Sequence, residues 1–298
     1  MRFFFIVGTP RSGTTLLQAM LLRSPMVTIP PETQFFGIMR RVKHDISTDP
    51  GWEHAKAAVI RRCEREGFKL DHDFFMKRVA EGERTYQTLL RSWLEAIGVA
   101  EGVEVVGEKS PAHAGYVPQL AEMFPEARII HIHRDPRDVC ASHREAWGRT
   151  ILESAVRWRL DFSSDARDQA SLPSYRYYSL SYESLVNEPA ESARAISSFL
   201  DLEYIDEMAD PSGRDGLGFH PKEKWKMLTT QRVTTKRIGR YRDKLSPGEI
   251  GMIQVICRSG MRQRGYTFHT IRPLSTAMIF LKDMCVALTR RMKELFSS

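Results

Sequence analysis

At 298 residues, with 42% hydrophobic and 27% charged side chains, the chain has the size and composition of a soluble α/β globule with one sizeable core, and no repeat or low-complexity tract departs from that. Lys and Arg outnumber Asp and Glu by 44 to 37, and the resulting +7 favours anionic ligands, but the basic residues lack zinc-finger or aromatic RNA-binding spacing, which argues against nucleic acid. Cys63, Cys140, Cys257 and Cys285 form no CxxC pair and no metal-ligand spacing, so they read as reduced thiols of a chain that folds in the cytoplasm.

The first element is the apolar run Phe3 to Val7, suited to a strand buried on both faces. GTPRSG follows, and helical spacing resumes from Thr14 and Thr15 through Leu16, Leu17, Met20 and Leu21. Strand, glycine loop and helix start aim backbone N–H groups and the positive end of a helix at one small volume, which predicts a bound anion. The spacing GxxxxG is that of a nucleotide-triphosphate loop, yet Thr14 stands where such a loop carries lysine. The cation is instead Arg11, whose planar guanidinium can fork onto phosphate or sulfate oxygens. This predicts a nucleotide without a magnesium-bound γ-phosphate, and no metal. The single arginine and short apolar run before the loop are too brief for a signal peptide.

Next, Met26 to Ile29 reads as a short strand stopped by Pro30 and Pro31, which sets Glu32 at a strand end on the side of the anion loop. There it either serves catalysis or simply favours the N-terminus of a following helix. Residues 38 to about 100 show only helical periodicity and predict a helical insertion over the sheet edge. Val103 to Val106 forms a strand followed by GEKSPAH, so Lys109 sits just past its carboxyl end, either as a ligand contact there or as a solvated charge. Nearby His113 is a candidate base, ligand contact or packing residue.

The clearest later strand, in ARIIHIHRDPRDVCAS, releases Arg134 at its end, and Asp135-Pro136 starts a helix that carries Ser142. Arg134 and Ser142 can face one phosphate from loop and helix, whereas Arg137 and Asp138 read as an exposed charge pair. A helix from Ile151 to Ala170, a strand from Tyr175 to Leu180 and an amphipathic helix over 189 to 200 follow. From Asp206 to about Leu245 the pattern gives way to a basic loop. In it Thr230, Arg232, Lys236 and Arg237 offer hydroxyls and cations to an anion, and Gly239 allows close backbone approach; otherwise the stretch is a solvated connector. The predicted architecture is a P-loop-like three-layer α/β/α fold with a central parallel sheet.

Beyond Pro273, Leu274, Met278, Leu281, Cys285, Leu288, Met292 and Leu295 recur at alternating spacings of four and three. This predicts an amphipathic helix over residues 273–298 with three fates: docking by that seam on its own domain, pairing in a homodimer, or peripheral contact with an anionic membrane through Ile279, Phe280 and Val286 with Arg290, Arg291 and Lys293. The first is the expectation taken here.

With these elements in view, the chain resembles the sulfotransferases that use 3′-phosphoadenosine 5′-phosphosulfate (PAPS). VGTPRSGTTLL is similar to their 5′-phosphosulfate loop and HIHRDPRDVCAS to their 3′-phosphate segment, while YYSLSYESLVNEP resembles a later strand and turn. PRSGTTLLQAML, PPETQFF and EKSPAH look most like the tyrosylprotein sulfotransferase branch and its bacterial relatives. The resemblance makes residues 1–272 one sulfotransferase domain. It implies Glu32 as the base that activates an acceptor hydroxyl, Lys109 near the leaving bridge oxygen, and Arg11 with Ser12, Gly13, Thr14 and Thr15 around the phosphosulfate. It further implies Arg134, Ser142 and Thr230 as cofactor ligands. Pro111 occupies the position of the catalytic histidine of the cytosolic branch, so His113 stays as the rival base, and TTKRIG replaces the usual RKGxxG. The implied acceptor is a hydroxyl of a protein tyrosine, sugar, lipid or small alcohol. A P-loop kinase and a non-catalytic nucleotide-binding domain are the alternatives.

Overall fold

The computed structural model describes residues 1–42, 44–212 and 232–296, with side chains as far as residue 286. Five strands, β1 (Arg2–Val7), β2 (Val27–Thr28), β3 (Val105–Lys109), β4 (Arg128–His133) and β5 (Tyr177–Ser181), form one all-parallel sheet in the order β2-β3-β1-β4-β5. β1 is therefore central, and its side chains alternate between two cores. Phe3, Phe5 and Val7 join one face, and Phe4 and Ile6 the other.

On the second face lie α1 (Thr14–Leu21), α9 (Tyr182–Asn187) and α10 (Pro189–Leu200), through Leu17, Met20, Leu185 and Ile196. The first is covered by the insertion, α2 (Phe35–Met39), α3 (Asp49–Glu66), α4 (His72–Glu81) and α5 (Tyr86–Glu101), together with α6 (Val117–Met123). Each long insertion helix starts at a side-chain cap: Thr48, Asp71 and Thr85 accept from the N–H groups of Gly51, Phe74 and Thr88. Left-handed Gly67 and Gly102 end α3 and α5. A third core joins α7 (Pro136–Trp147), α8 (Ile151–Ser171), α11 (Tyr241–Lys244), α12 (Pro247–Ile256) and α13 (Arg258–Gln263). This is the α/β/α architecture expected from the sequence.

Three features depart from the sequence reading. β3 begins two residues late and runs to Lys109, through Gly107 and a fully buried Glu108. Gly107 is required there because a Cβ would lie 2.3 Å from the Phe4 ring. Arg137 and Asp138 are not an exposed pair: both are buried, Arg137 binding Asp135 at 2.6 Å and Asp138 accepting from the backbone N–H groups of Gly239 and Tyr241 at 2.8 and 2.9 Å. The terminal helix α14 (Pro273–Phe296) packs on α12 and α8 through Thr276, Ile279 and Asp283, while Leu274, Met278 and Leu281 of the seam face outward.

Candidate active site

The loop after β1 has the backbone of an anion cradle. Gly8 (φ 143°), Arg11 (φ 72°) and Gly13 (φ 101°) turn it, and a Cβ on Gly8 would meet the Ile132 carbonyl at 2.2 Å. Gly13 begins α1 without any side-chain cap, so the first N–H groups of the helix point into the loop. Ser12 is fully buried, and its hydroxyl has no hydrogen-bond partner among the described residues. The Tyr182 ring, at the start of α9, closes the loop from below: a Cβ on Gly13 would be 2.5 Å from it.

Cations converge on this loop from the end of β4 and from the basic segment, and α7 adds the Ser142 hydroxyl. Arg11 Nε donates to Ser142 Oγ at 3.0 Å, and Arg134 Nη1 to the Arg11 carbonyl at 3.3 Å. Arg134 also lies 4.3 Å over the Tyr182 ring, donates to the Arg237 carbonyl and approaches Asp138 at 3.6 Å. Asp138 thus ties the turn at Gly239 to α7, and the tie brings Arg237 and Arg240 into a narrow cleft with Arg134, Ser142 and Lys244. Burial, then Arg237 and Arg134, lower the Arg11 guanidinium to about 10. Burial also lowers Arg237, and Arg240 and Arg134 add to it. Glu145 also lines this cleft and pairs with Arg240 and Lys244 at 3.1 Å each, and Asp138 approaches Arg134, so the cations are partly neutralised, with Arg11 and Arg237 left nearest an incoming anion.

A second cluster lies where β3 ends beside β1, with Lys109 in register with Ile6. Lys109, 1% exposed, donates from Nζ to Glu32 Oε1 at 2.6 Å, while the Glu32 side chain keeps 22% of its surface open. The backbone around Glu32 is held from three directions. Gln18 of α1 donates to the carbonyls of Ile29 and Pro30 at 3.2 and 3.4 Å, and Arg62 of α3 donates to the Glu32 carbonyl at 2.6 Å. Buried Glu108 accepts from the Thr33 hydroxyl at 2.7 Å and from Ser110 Oγ at 2.5 Å. Its other oxygen lies 3.0 Å from His113 Nδ1. Burial alone would raise Glu108; the charge of His113 and hydrogen bonds from His113, Ser110 and Thr33 outweigh it and leave this carboxyl below its ordinary value.

The structure therefore brings Arg11, Ser12, Gly13, Thr14, Thr15, Arg134 and Ser142 to the loop, and Glu32 and Lys109 to the neighbouring strand end. His113 is 1% exposed and faces Glu108. Of the basic segment, Arg237 reaches Arg134, whereas Arg232 and Lys236 are exposed, and Thr230 lies outside the described residues. Tyr182, Arg62 and Glu108 had no signal in local sequence. Each acts across 30 or more residues of chain, except that Glu108, preceding Lys109 in a buried strand, could have been suspected as an acid needing a partner.

With the geometry in hand, comparison decides the lineage. The model of the sulfotransferase family matches residues 4–206. The chain belongs to the sulfotransferase family. The sulfotransferase domain of the Synechococcus PCC 7002 olefin synthase superposes with a TM-score of 0.62 at 20% identity, over 90% of this chain and 96% of that one. Mouse sulfotransferase SULT7A1, solved in complex with PAP, gives 0.52 at 14% identity over 88% and 85%. These two likenesses concern the fold. In sequence, this sulfotransferase-family chain is 25% identical to protein-tyrosine sulfotransferase A of Caenorhabditis elegans over 218 residues, 69% of this chain and 51% of that protein. It spans only 26% and 31% of the length of two longer curated relatives that it also matches.

Proposed function

We propose that this chain transfers a sulfuryl group from PAPS to a hydroxyl-bearing acceptor, with Glu32 taking the acceptor's proton. The observation that carries the reading is the contact of 2.6 Å between Lys109 and Glu32 at the strand end beside the glycine loop. A base and a cation are thereby held together next to an anion cradle. PAPS would supply the sulfuryl group and a leaving group with two further phosphates. The residues suit it: the N–H groups of residues 11 to 15, Arg11 and the unpartnered Ser12 hydroxyl for the 5′ end, and Arg134, Ser142 and Arg237 for the 3′-phosphate. PAP in the mouse family member supports the same donor class.

In this proposal the acceptor oxygen bonds to sulfur as the bond from sulfur to the bridge oxygen breaks, in line. Glu32 accepts the hydroxyl proton, and Lys109 stabilises the charge that grows on the bridge oxygen. A sulfuryl group carries less negative charge than a phosphoryl group, so fixed donors can replace a metal clamp. The partial exposure of Glu32 and the burial of His113 against Glu108 favour Glu32 as the base. The chain spans only part of its longer relatives, and the acceptor is proposed as a hydroxyl compound. The test is to supply PAPS labelled with sulfur-35 alongside tyrosine peptides, sugars, lipids and small alcohols, and to identify products by mass. Transfer of label to one acceptor class is expected. Hydrolysis or phosphoryl transfer from ATP, with no sulfated product from any class, would overturn the reading.

A further inference from the structure

Two carboxylates line the arginine cleft beside the glycine loop, and they are held in different ways. Asp138 is 2% exposed, and its two oxygens are taken by the backbone N–H groups of Gly239 and Tyr241. Glu145, in the last turn of α7, keeps 37% of its side chain open, and its Oε1 meets Arg240 and Lys244 at 3.1 Å each. A carboxylate in that position gains nothing from its own helix, because the last turn presents the negative end of the dipole. Its charge is spent on the cleft instead, and it acts on Arg237 and Arg11 as well as on the two cations it touches.

The cleft is also nearly full. Its lining side chains leave about 10 Å³ between them, space on the scale of one water and too little for a phosphate. An entering phosphate must therefore displace a side chain. Arg134 is fixed by the carbonyls of Arg11 and Arg237, Ser142 by Arg11, and Asp138 by its two N–H groups. Arg237, Arg240 and Lys244 are cations, which would close on phosphate oxygens rather than leave them. Glu145 is the group that repels the phosphate, and its open side gives it somewhere to go.

We propose that Glu145 is an internal counter-ion of this cleft: it occupies Arg240 and Lys244 until a phosphate arrives, then swings out and yields both cations to it. The inference rests on the donor proposed above, whose 3′-phosphate is the group that enters here. The exchange limits how tightly the nucleotide is held, since binding gives up two ion pairs that departure restores. Isothermal titration of 3′-phosphoadenosine 5′-phosphate and of adenosine 5′-phosphate into the full chain and into Glu145→Gln supplies the test. Gln keeps the length of the side chain and removes its charge. The variant is expected to bind the 3′-phosphorylated nucleotide about fivefold or more tightly, with a steeper loss of affinity as salt is raised. Adenosine 5′-phosphate, which has nothing to place in the cleft, should change by less than about twofold. The same change of net charge in α4, Glu81→Gln, where the partner is Lys77 at 4.0 Å, should alter neither titration. Unchanged or weaker binding of the 3′-phosphorylated nucleotide by Glu145→Gln, in a parent chain that prefers it to adenosine 5′-phosphate, would overturn the exchange and leave the donor reading standing. Equal tightening of both nucleotides would also overturn it, because the effect would then be one of general field. A parent chain without that preference would overturn the donor reading and the exchange together.

Discussion

Glu32 and Lys109 are 77 positions apart in the chain and 2.6 Å apart in space, and the residues that hold them there do not touch the reacting volume themselves. Arg62 grips the Glu32 carbonyl from the insertion, and Glu108 grips Thr33 from beneath, so the carboxylate of Glu32 is set on a clamped backbone. The role proposed for that carboxylate is proton acceptance, so Glu32→Gln, which keeps shape but not basicity, should lower kcat by roughly 10²-fold or more. Nucleotide affinity, which depends on the loop and the arginines, should stay near that of the parent chain in a calorimetric titration. Full turnover in Glu32→Gln beside an inactive His113→Ala would transfer the role to His113. Glu32 was visible in the sequence because Pro30 and Pro31 end a strand there. The grip of Arg62 was not, since a helix of the insertion offers several arginines and only the folded packing selects one.

Among elements, the strand, loop and helix of residues 2–21 were legible because everything they need is local: an apolar run, left-handed glycines and resumed helical spacing. Gly8 illustrates how strictly the loop is specified. Its φ of 143° and the Ile132 carbonyl 2.2 Å from a built Cβ leave no room for a side chain. Gly8→Ala should therefore cost on the order of 1–3 kcal/mol and weaken nucleotide binding. Gly37→Ala, in α2 with nothing within 4 Å, should be neutral or stabilising by up to about 1 kcal/mol. Chemical denaturation of the two variants compares them directly, and equal midpoints would contradict this account of the loop. Two elements were less legible. The turn at Gly239 owes its place to Asp138, some 100 residues earlier, and a local pattern of charge reads that carboxylate as surface. In α14 the apolar seam misled, because the helix docks by another face, Thr276 and Ile279 against the glycines of α12 and Asp283 on the Leu152 N–H, a fit that the spacing of apolar residues alone does not register.

At the scale of the whole molecule, buried imidazoles link stability to pH. His143 Nε2 lies 2.9 Å from the Pro10 carbonyl and ties α7 to the anion loop; burial, the largest cause, holds its pKa at about 4. His133, beneath the carboxyl edge of the sheet, is lowered to about 3, again first by burial. Both values lie below the ordinary 6.5, so between pH 6.5 and 4 the unfolded chain binds more protons than the folded one. Their contribution is complete above pH 6.5 and is lost as pH falls, on the order of 3 kcal/mol for His143 by pH 4. Asp168, raised by burial to about 6, acts in the opposite sense below that pH, so the imidazoles are isolated by comparing the pH dependence of the thermal midpoint in parent and variant between pH 7 and pH 5. His143→Gln, whose amide can still donate to Pro10 but does not titrate, should flatten part of that slope; an unchanged slope would remove His143 from the explanation.

The central claim is that one parallel sheet presents a nucleotide cradle in which Arg11, Arg134 and Arg237 take the place of the phosphate-loop lysine and its metal. Three arginines crowded at one loop, with Arg11 lowered to about 10 by burial and its neighbours, suit a ligand with phosphates at both ends of a nucleoside better than a chain of phosphates at one end. Isothermal titration of the full chain with 3′-phosphoadenosine 5′-phosphate and with ATP, each with and without magnesium, tests this most directly. The account predicts that the 3′-phosphorylated nucleotide binds at least about tenfold more tightly than ATP and does so without magnesium, a difference of roughly 1.4 kcal/mol or more. Equal affinity for ATP, or binding that requires magnesium, would contradict it.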